Sequence, residues 1–262
     1  MCKVMCVANQ KGGVGKTTTA VSLGIGLVRK GKKVLLIDAD PQGSLTACLG
    51  YEEPDEIKTT LASVMTAIIN DEELEEGTGI LHHPEGIDLL PGNIDLSGLE
   101  VLIGNVMSRE TILKSYVESV KNKYDYILID CMPSLGMITV NAMVASDSIL
   151  IPVQAAYLSI KGLQQLIKTM HMVQKRLNKG LYIEGILMTM VDFRTNYAKD
   201  ISRRLRKAYE PFIEIFETVI PASVKAAETS SMGGSVYRCY PKSRVAAAYE
   251  ALTEEVIDHE TR

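Results

Sequence analysis

The stretch Gln10-Lys11-Gly12-Gly13-Val14-Gly15-Lys16-Thr17-Thr18 lies between an apolar run, Val4 to Ala8, and a segment of helical periodicity. Strand, glycine-rich turn and helix in that order make a cradle for phosphate. Glycines let backbone N–H groups turn inward around an anion, and the helix N-terminus adds partial positive charge. Lys16 and Thr17 stand where a lysine grips β/γ-phosphates and a hydroxyl holds Mg²⁺. The usual G-x-x-x-x-G-K-[ST] places glycine at position 10, which is Gln10 here, and a second lysine, Lys11, precedes the glycine pair. The loop is therefore a deviant form of the motif.

Working outward, Lys3 to Ala8 reads as the first strand and Thr18 to Arg29 as a helix that stops at Gly31. The second strand, Lys33 to Asp38, is nearly all apolar, as expected of a strand covered on both faces of a parallel sheet. It ends in Asp38-Ala39-Asp40-Pro41-Gln42-Gly43, and open α/β sheets bind ligands at the carboxyl ends of their strands. Either aspartate can orient a Mg²⁺-bound or attacking water, or can cap the helix starting near Ser44. Tyr124 to Asp130 is a further strand whose terminal acid belongs beside the metal of a phosphate loop, normally through a water. Cys131, with no histidine near in sequence, reads as a small buried filler.

Helical material is expected over Leu99 to Val120, with Arg109 and Glu110 in a first turn. Strands follow at Asp147 to Val153, Ile183 to Val191 and Glu217 to Ile220, the last ending at Pro221. A long helix between the first two of these has Ile160, Leu163, Leu166, Ile167, Met170, Val173 and Leu177 on one face and Lys161, Gln164, Gln165 and Lys168 on the other. The alternation predicts an α/β fold with a doubly wound, mostly parallel sheet flanked by helices.

At 262 residues and 46% hydrophobic, with no linker-like tract, the chain is expected to form one domain over residues 1–262. A net charge of −4 argues against a generally basic coat and leaves room for a local patch. The five cysteines are scattered without a C-x-x-C pair, so no disulfide framework or zinc site is indicated. No signal peptide is evident and no apolar run approaches the ~18 residues of a membrane span, so a cytoplasmic location is expected. After Val191 the charge balance changes: Arg194, Lys199, Arg203, Arg204, Arg206 and Lys207 are opposed only by Asp192, Asp200 and Glu210. If Asn196 to Tyr209 is a helix, Lys199, Arg203, Arg206 and Lys207 share a face. Lys225, Arg238, Lys242 and Arg244 add cations further on. A last helix turns Val245, Ala248, Tyr249, Leu252 and Val256 inward and carries Glu250, Glu254, Glu255, Asp258 and Glu260 outside or behind.

Lys11 to Thr17, Leu36-Ile37-Asp38-Ala39-Asp40-Pro41-Gln42-Gly43, Ile127 to Asp130 with Pro133-Ser134-Leu135-Gly136, and Thr218-Val219-Ile220-Pro221 together resemble the ParA/Soj partition ATPases, a branch of the deviant Walker-A class that includes MinD. The resemblance implies a weak ATPase that uses ATP and Mg²⁺ and closes as an ATP-dependent homodimer. It implies that Lys11 reaches the partner subunit's nucleotide, and that Gly12, Gly13, Val14, Gly15, Lys16, Thr17 and Thr18 cradle the phosphates. Thr17 and Asp130 would hold the metal with support from Asp38, Asp40 would position the attacking water, and Pro221 and Ser223 would touch the nucleoside. It further implies non-specific binding of double-stranded DNA through the cations at Lys199, Arg203, Arg206, Lys207, Lys225, Lys242 and Arg244. Release by a ParB-like activator and association with a bacterial nucleoid complete the expectation.

The chain departs from the family's pattern at Ala156, Lys161 and Ala222, and at Ala227-Glu228-Thr229-Ser230, which bears on partner choice and part of the DNA surface. A MinD-like membrane-cycling ATPase is the alternative. It requires a basic amphipathic C-terminal helix, and Glu254 to Arg262 has the opposite charge, which anionic lipid repels.

Overall fold

Val34-Leu35-Leu36-Ile37 and Ile127-Leu128-Ile129 are apolar at every position, so each strand needs cover on both faces. The computed structural model, which describes residues 2–154, 157–192, 194–229 and 232–259, supplies it with one eight-stranded sheet between helical layers. In chain order the elements are β1 (Lys3–Val7), α1 (Lys16–Arg29), β2 (Val34–Ala39), α2 (Ser44–Cys48), α3 (Leu61–Ile69), β3 (Leu81–His82), β4 (Asp88–Leu90), α4 (Asp95–Ile103) and α5 (Ile112–Val120). Then come β5 (Tyr126–Cys131), α6 (Met137–Ala145), β6 (Ser148–Gln154), α7 (Tyr157–Arg176), β7 (Tyr182–Val191), α8 (Asn196–Tyr209), β8 (Ile215–Pro221), α9 (Val224–Glu228), α10 (Val236–Cys239) and α11 (Arg244–His259).

The strand order is β3-β4-β2-β5-β1-β6-β7-β8, parallel throughout except for the β3–β4 pair. The chain leaves β1 through α1 toward β2 on one side, and later leaves β5 through α6 to reach β6 on the other side of β1. That reversal opens a crevice at the carboxyl end of β1, where the glycine loop begins. Side-chain alternation divides the core: Val4 and Cys6 join the cluster that includes Leu113, Ile138, Leu163 and Leu166, while Met5 and Val7 join Leu23, Leu27, Tyr249 and Leu252. Each fully buried Leu or Ile contributes on the order of 1.5–3 kcal/mol relative to exposure.

The expected fold class holds, with differences at element ends. α1 begins at Lys16 rather than Thr18, because Gly15 at φ 85° is its left-handed N-cap and the helix starts directly after it. β2 runs on to Ala39 and β8 starts at Ile215, each extended by a neighbouring strand that offers backbone partners. α5 starts at Ile112 behind Thr111, so Arg109 and Glu110 precede the helix rather than forming its first turn. Leu177 falls beyond the end of α7 and is 41% exposed. The edge strand β3, only two residues long, has no periodicity by which a sequence could announce it.

Gly92 approaches the end of β2 so closely that an added Cβ would collide with the carbonyl oxygen of Asp38. Backbone cannot swing away as a side chain can, so Gly92→Ala is expected to cost about 1–3 kcal/mol, the usual range for an overpacked site. Thermal unfolding of the variant checks this, with a midpoint lowered by roughly 2–4 °C per kcal/mol for a chain of this size.

Candidate functional site: a phosphate loop and the acids beneath it

Gly13 and Gly15 adopt φ of 70° and 85°, a region that side chains with a Cβ rarely enter, and these turns fold the loop over the start of α1. The helix ladder begins with Thr19 N donating to Gly15 O at 2.9 Å, which leaves the amides of the first turn free to point at an anion. Val14 is fully buried, and its carbonyl accepts the Thr189 hydroxyl at 2.8 Å, so the loop is pinned from β7. Asn9 Nδ2 donates to Pro152 O at 2.7 Å while its Oδ1 accepts the Lys11 amide at 2.9 Å. Lys16 is only 7% exposed. Lys11 Nζ rests on Gln154 Oε1 at 3.3 Å, within its own chain.

Asp38 and Asp130 are register partners on adjacent strands, and both are fully buried. Asp38 is engaged with backbone. Its Oδ2 accepts from Thr46 N at 2.9 Å and Thr46 Oγ1 at 2.7 Å, and its Oδ1 accepts from Asp40 N at 3.2 Å. It thus caps the start of α2, which was one of the two readings open for it, and it holds Asp40 by the amide. Three hydrogen bonds hold the Asp38 carboxylate between α2 and the Asp40 amide, beside Asp130 on the next strand. Asp40 lies at the rim, with Oδ1 accepting from Gln42 N at 3.0 Å.

Asp130 differs, because neither carboxylate oxygen has a hydrogen-bond partner among the described residues. Burial, then the neighbouring Asp38 charge, push its pKa up to about 8, against the opposing pull of the Thr17 hydroxyl and the Lys16 charge. Burial likewise raises Asp38 to about 6, with the Thr46 bonds holding it down. An orphaned buried carboxylate facing a loop threonine and lysine is a donor set suited to a hard divalent cation such as Mg²⁺.

Two clefts open beside the loop. One, of about 590 Å³, is lined by Gly15, Thr18, Met190, Pro221, Ser223 and Tyr249 among others, so Pro221 and Ser223 do meet the phosphate loop. The departure Ala222 lines the same cleft. The second, of about 670 Å³, brings Arg194, Lys225, Lys242 and Arg244 together around Pro221 and Ser223. Arg194 is held there by a bidentate pair with Asp192, at 2.8 and 2.7 Å, which keeps that carboxyl at about 2.

Helix α8 spans the residues the sequence assigned to it, but its cations line neither cleft. Arg203 and Arg204 share Asp200, and Lys207 is exposed. Arg206 is not a free surface cation as expected. Its guanidinium donates to Phe216 O at 3.1 Å and pairs with Glu210, which ties α8 to β8. The Lys199 and Lys161 side chains and residue Ala156 lie outside the described residues. Sequence reading missed Asn9, Gln154, Thr189 and Met190, whose roles arise from strands distant in the chain. Only Asn9, at the mouth of the loop, had a positional signal. Met190 sits at φ 53°, strained for a residue with a Cβ, beside Gly15.

A parallel sheet with this loop at its switch point defines a phosphate-loop nucleotide-binding protein. The AAA domain family (AAA_31) matches residues 2–183. The chain is 43% identical to the sporulation initiation inhibitor protein Soj of Bacillus subtilis, over 98% of both chains. It is 38% identical to the chromosome partitioning protein ParA of Myxococcus xanthus, over 99% of this chain and 89% of that one. A crystal structure of a cobyrinic acid a,c-diamide synthase from Mycobacterium smegmatis with bound ADP and magnesium superposes with a TM-score of 0.86 at 34% identity, over 100% of this chain and 96% of that one. The chain belongs to the ParA/Soj family of partition ATPases.

Because the folded-state pKa of Asp130 is raised above its unfolded value, ionising it opposes folding. Its effect is absent below about pH 4 and destabilisation grows as pH rises toward 8. Asp130→Asn should therefore be more stable than the parent in nucleotide-free, metal-free buffer at pH 8, with the difference shrinking toward zero as the pH falls below about 4. Paired denaturant melts across that range measure it.

Proposed function

We propose that this protein is an ATP-driven switch for DNA partition, in which Mg–ATP binding leads to dimerisation and non-specific DNA binding, and hydrolysis resets the chain. The observation that carries the nucleotide part is Asp130: a fully buried carboxylate with no well-formed hydrogen bond, its charge favoured only by the Thr17 hydroxyl and Lys16, is costly unless a cation joins it. Thr17 and Asp130, the latter through water, would hold Mg²⁺, and Lys16 with the amides from Gly12 to Thr18 would hold the phosphates. A Mg²⁺ ion held by Thr17 and Asp130 would supply charge neutralisation for the phosphates. Asp40 would orient the attacking water, and Asp38, by fixing the Asp40 amide and α2, would serve as its positioning residue. The cleft at Pro221 and Ser223 has the size and apolar floor for a nucleoside.

Lys11 would exchange Gln154 for the nucleotide of the partner subunit, which makes ATP a dimerisation signal as well as a substrate. The second cleft, where Arg194, Lys225, Lys242 and Arg244 converge, is the better candidate for DNA phosphates, with Arg203 and Lys207 on α8 as additional contacts. The similarity to a chromosome partitioning protein ParA supports the partition reading, in which a ParB-like activator would stimulate hydrolysis and release the DNA. The exposed acids Glu250, Glu254 and Asp258 argue against α11 as an anchor on anionic lipid. No described helix is long and apolar enough to cross a membrane.

Lys16→Ala should abolish binding of a fluorescent ATP analogue. Asp40→Ala should still bind it but lose roughly 10²–10⁴ in turnover, the range for a residue that moves or orients a proton, and should persist as an ATP-loaded dimer. An Asp40→Ala protein with parental turnover would sink the assignment.

DNA retention should require ATP rather than ADP. Its log K should fall with log[salt] by roughly 0.9 per phosphate contacted, and each of Lys225→Ala and Lys242→Ala should reduce that slope by about 1. Retention that ignores salt and nucleotide would remove the DNA claim.

A further inference from the structure

Three described residues other than glycine adopt a left-handed backbone: Asp71, Ser108 and Met190. The first two lie in turns, where a short polar side chain tolerates it. Met190, at φ 53°, lies inside β7, where a long side chain makes it an outlier. From Met188 to Val191 β7 advances three residues while its partner β8 advances two, from Val219 to Pro221. The extra residue is a bulge, a device that re-aims a side chain. Thr189, just before Met190, is the residue whose hydroxyl holds Val14 O at 2.8 Å, so the bulge is tied to the phosphate loop. The Met190 methyl lies over Gly15, 3.7 Å from where a Cβ there would stand.

The side chain thereby lines the cleft of about 590 Å³ whose walls come from α1, β6, β7, β8, α9 and α11. Met190 is 40% exposed, and Val224, 75% exposed, lines the same cleft. Two exposed apolar side chains in one concave space leave a surface that a ligand would cover. A thioether has no donor to give a phosphate, and the loop amides and Lys16 already supply donors. An aromatic ring is what it does favour, through contact of sulfur and methyl with the ring. Gly15 and Thr18 border the same space, so a ligand against Met190 is continuous with whatever the loop holds. A nucleotide has both parts, the anion for the loop and the ring for the wall, whereas a plain hydrocarbon has only the second.

We propose that Met190 is the residue of this cleft that contacts the nucleobase, and that the bulge with its strained backbone holds the thioether in place for that contact. This rests on the nucleotide reading given above and deepens it.

The test uses the full chain with methyl-labelled methionine, in the presence of Mg²⁺, titrated with a non-hydrolysable ATP analogue or with inorganic triphosphate. The NMR methyl signal missing from M190L identifies Met190. It should move with the analogue, through the ring current of the base, and stay near its ligand-free position with triphosphate. By calorimetry M190A should bind the analogue roughly three- to tenfold more weakly and bind triphosphate as the parent does, while M190L should recover most of the affinity. M190G removes the strain together with the side chain, so it should melt above M190A in nucleotide-free buffer yet bind the analogue no better. Three results would each overturn the proposal: a Met190 methyl that answers triphosphate as it answers the analogue, an M190A protein that loses affinity for both ligands alike or for neither, or an M190G protein with the parent's affinity. A parent that binds neither ligand would instead overturn the nucleotide reading itself, and this contact with it.

Discussion

Two carboxylates sit side by side, fully buried, at the carboxyl ends of β2 and β5, and the arrangement of the phosphate loop depends on how each is neutralised. Removing a carboxylate from water without a partner costs several kcal/mol, and two such groups in contact raise each other's pKa. Asp38 is satisfied within the chain by the Thr46 amide and hydroxyl and the Asp40 amide. Asp130 is not, and the groups that favour its charge, Thr17 and Lys16, both stand in the first turn of α1 behind the loop. The left-handed glycine turn is thus held next to a site whose electrostatics remain incomplete in the isolated chain. Function then resides in what completes them.

Around that centre the fold supplies rigidity from distant segments. α11 packs on α1, where Tyr249 OH meets Thr19 Oγ1 at 3.2 Å and Gly26 leaves room for Thr253 and Tyr237. The same helix covers the open edge of the sheet: Glu255 accepts from Glu217 N at 2.7 Å and Thr218 N at 3.0 Å, amides that no further strand would satisfy. Its last residue, His259, stacks on Phe216 with ring centroids 5.3 Å apart and reaches Glu214 at 3.1 Å. The AAA domain match ends at residue 183, yet β7, β8 and α11 finish both the core and the nucleoside-sized cleft. The loop alone would be a turn, and these elements make it a site.

Charge distribution gained meaning only in three dimensions. Along the chain, α8 holds the densest run of cations, and a helical wheel makes them one face. In the structure Arg206 is turned to Phe216 O and Arg203 and Arg204 share Asp200, whereas Lys225, Lys242 and Arg244, spread along the sequence, converge on one cleft beside Arg194, itself paired with Asp192. Linear density counts charges without their partners. Folding decides which remain available.

By itself the sequence determined the alternation of strands and helices, the phosphate loop with its paired lysines, and the acids at Asp38, Asp40 and Asp130, because each follows from local periodicity or from adjacency to a strand end. Helix α8 was legible to the residue, since Thr195 caps it and its pattern is uninterrupted. What only the tertiary structure decided were relations between residues far apart in the chain. Asp38 serves α2 while Asp130 stands alone, Thr189 pins Val14, Pro221 and Ser223 come to Gly15 and Thr18, and β3 joins the sheet. Hydrogen bonds and burial are settled by which groups meet in space, and a one-dimensional pattern carries the preferences of each residue but not the identity of its neighbours.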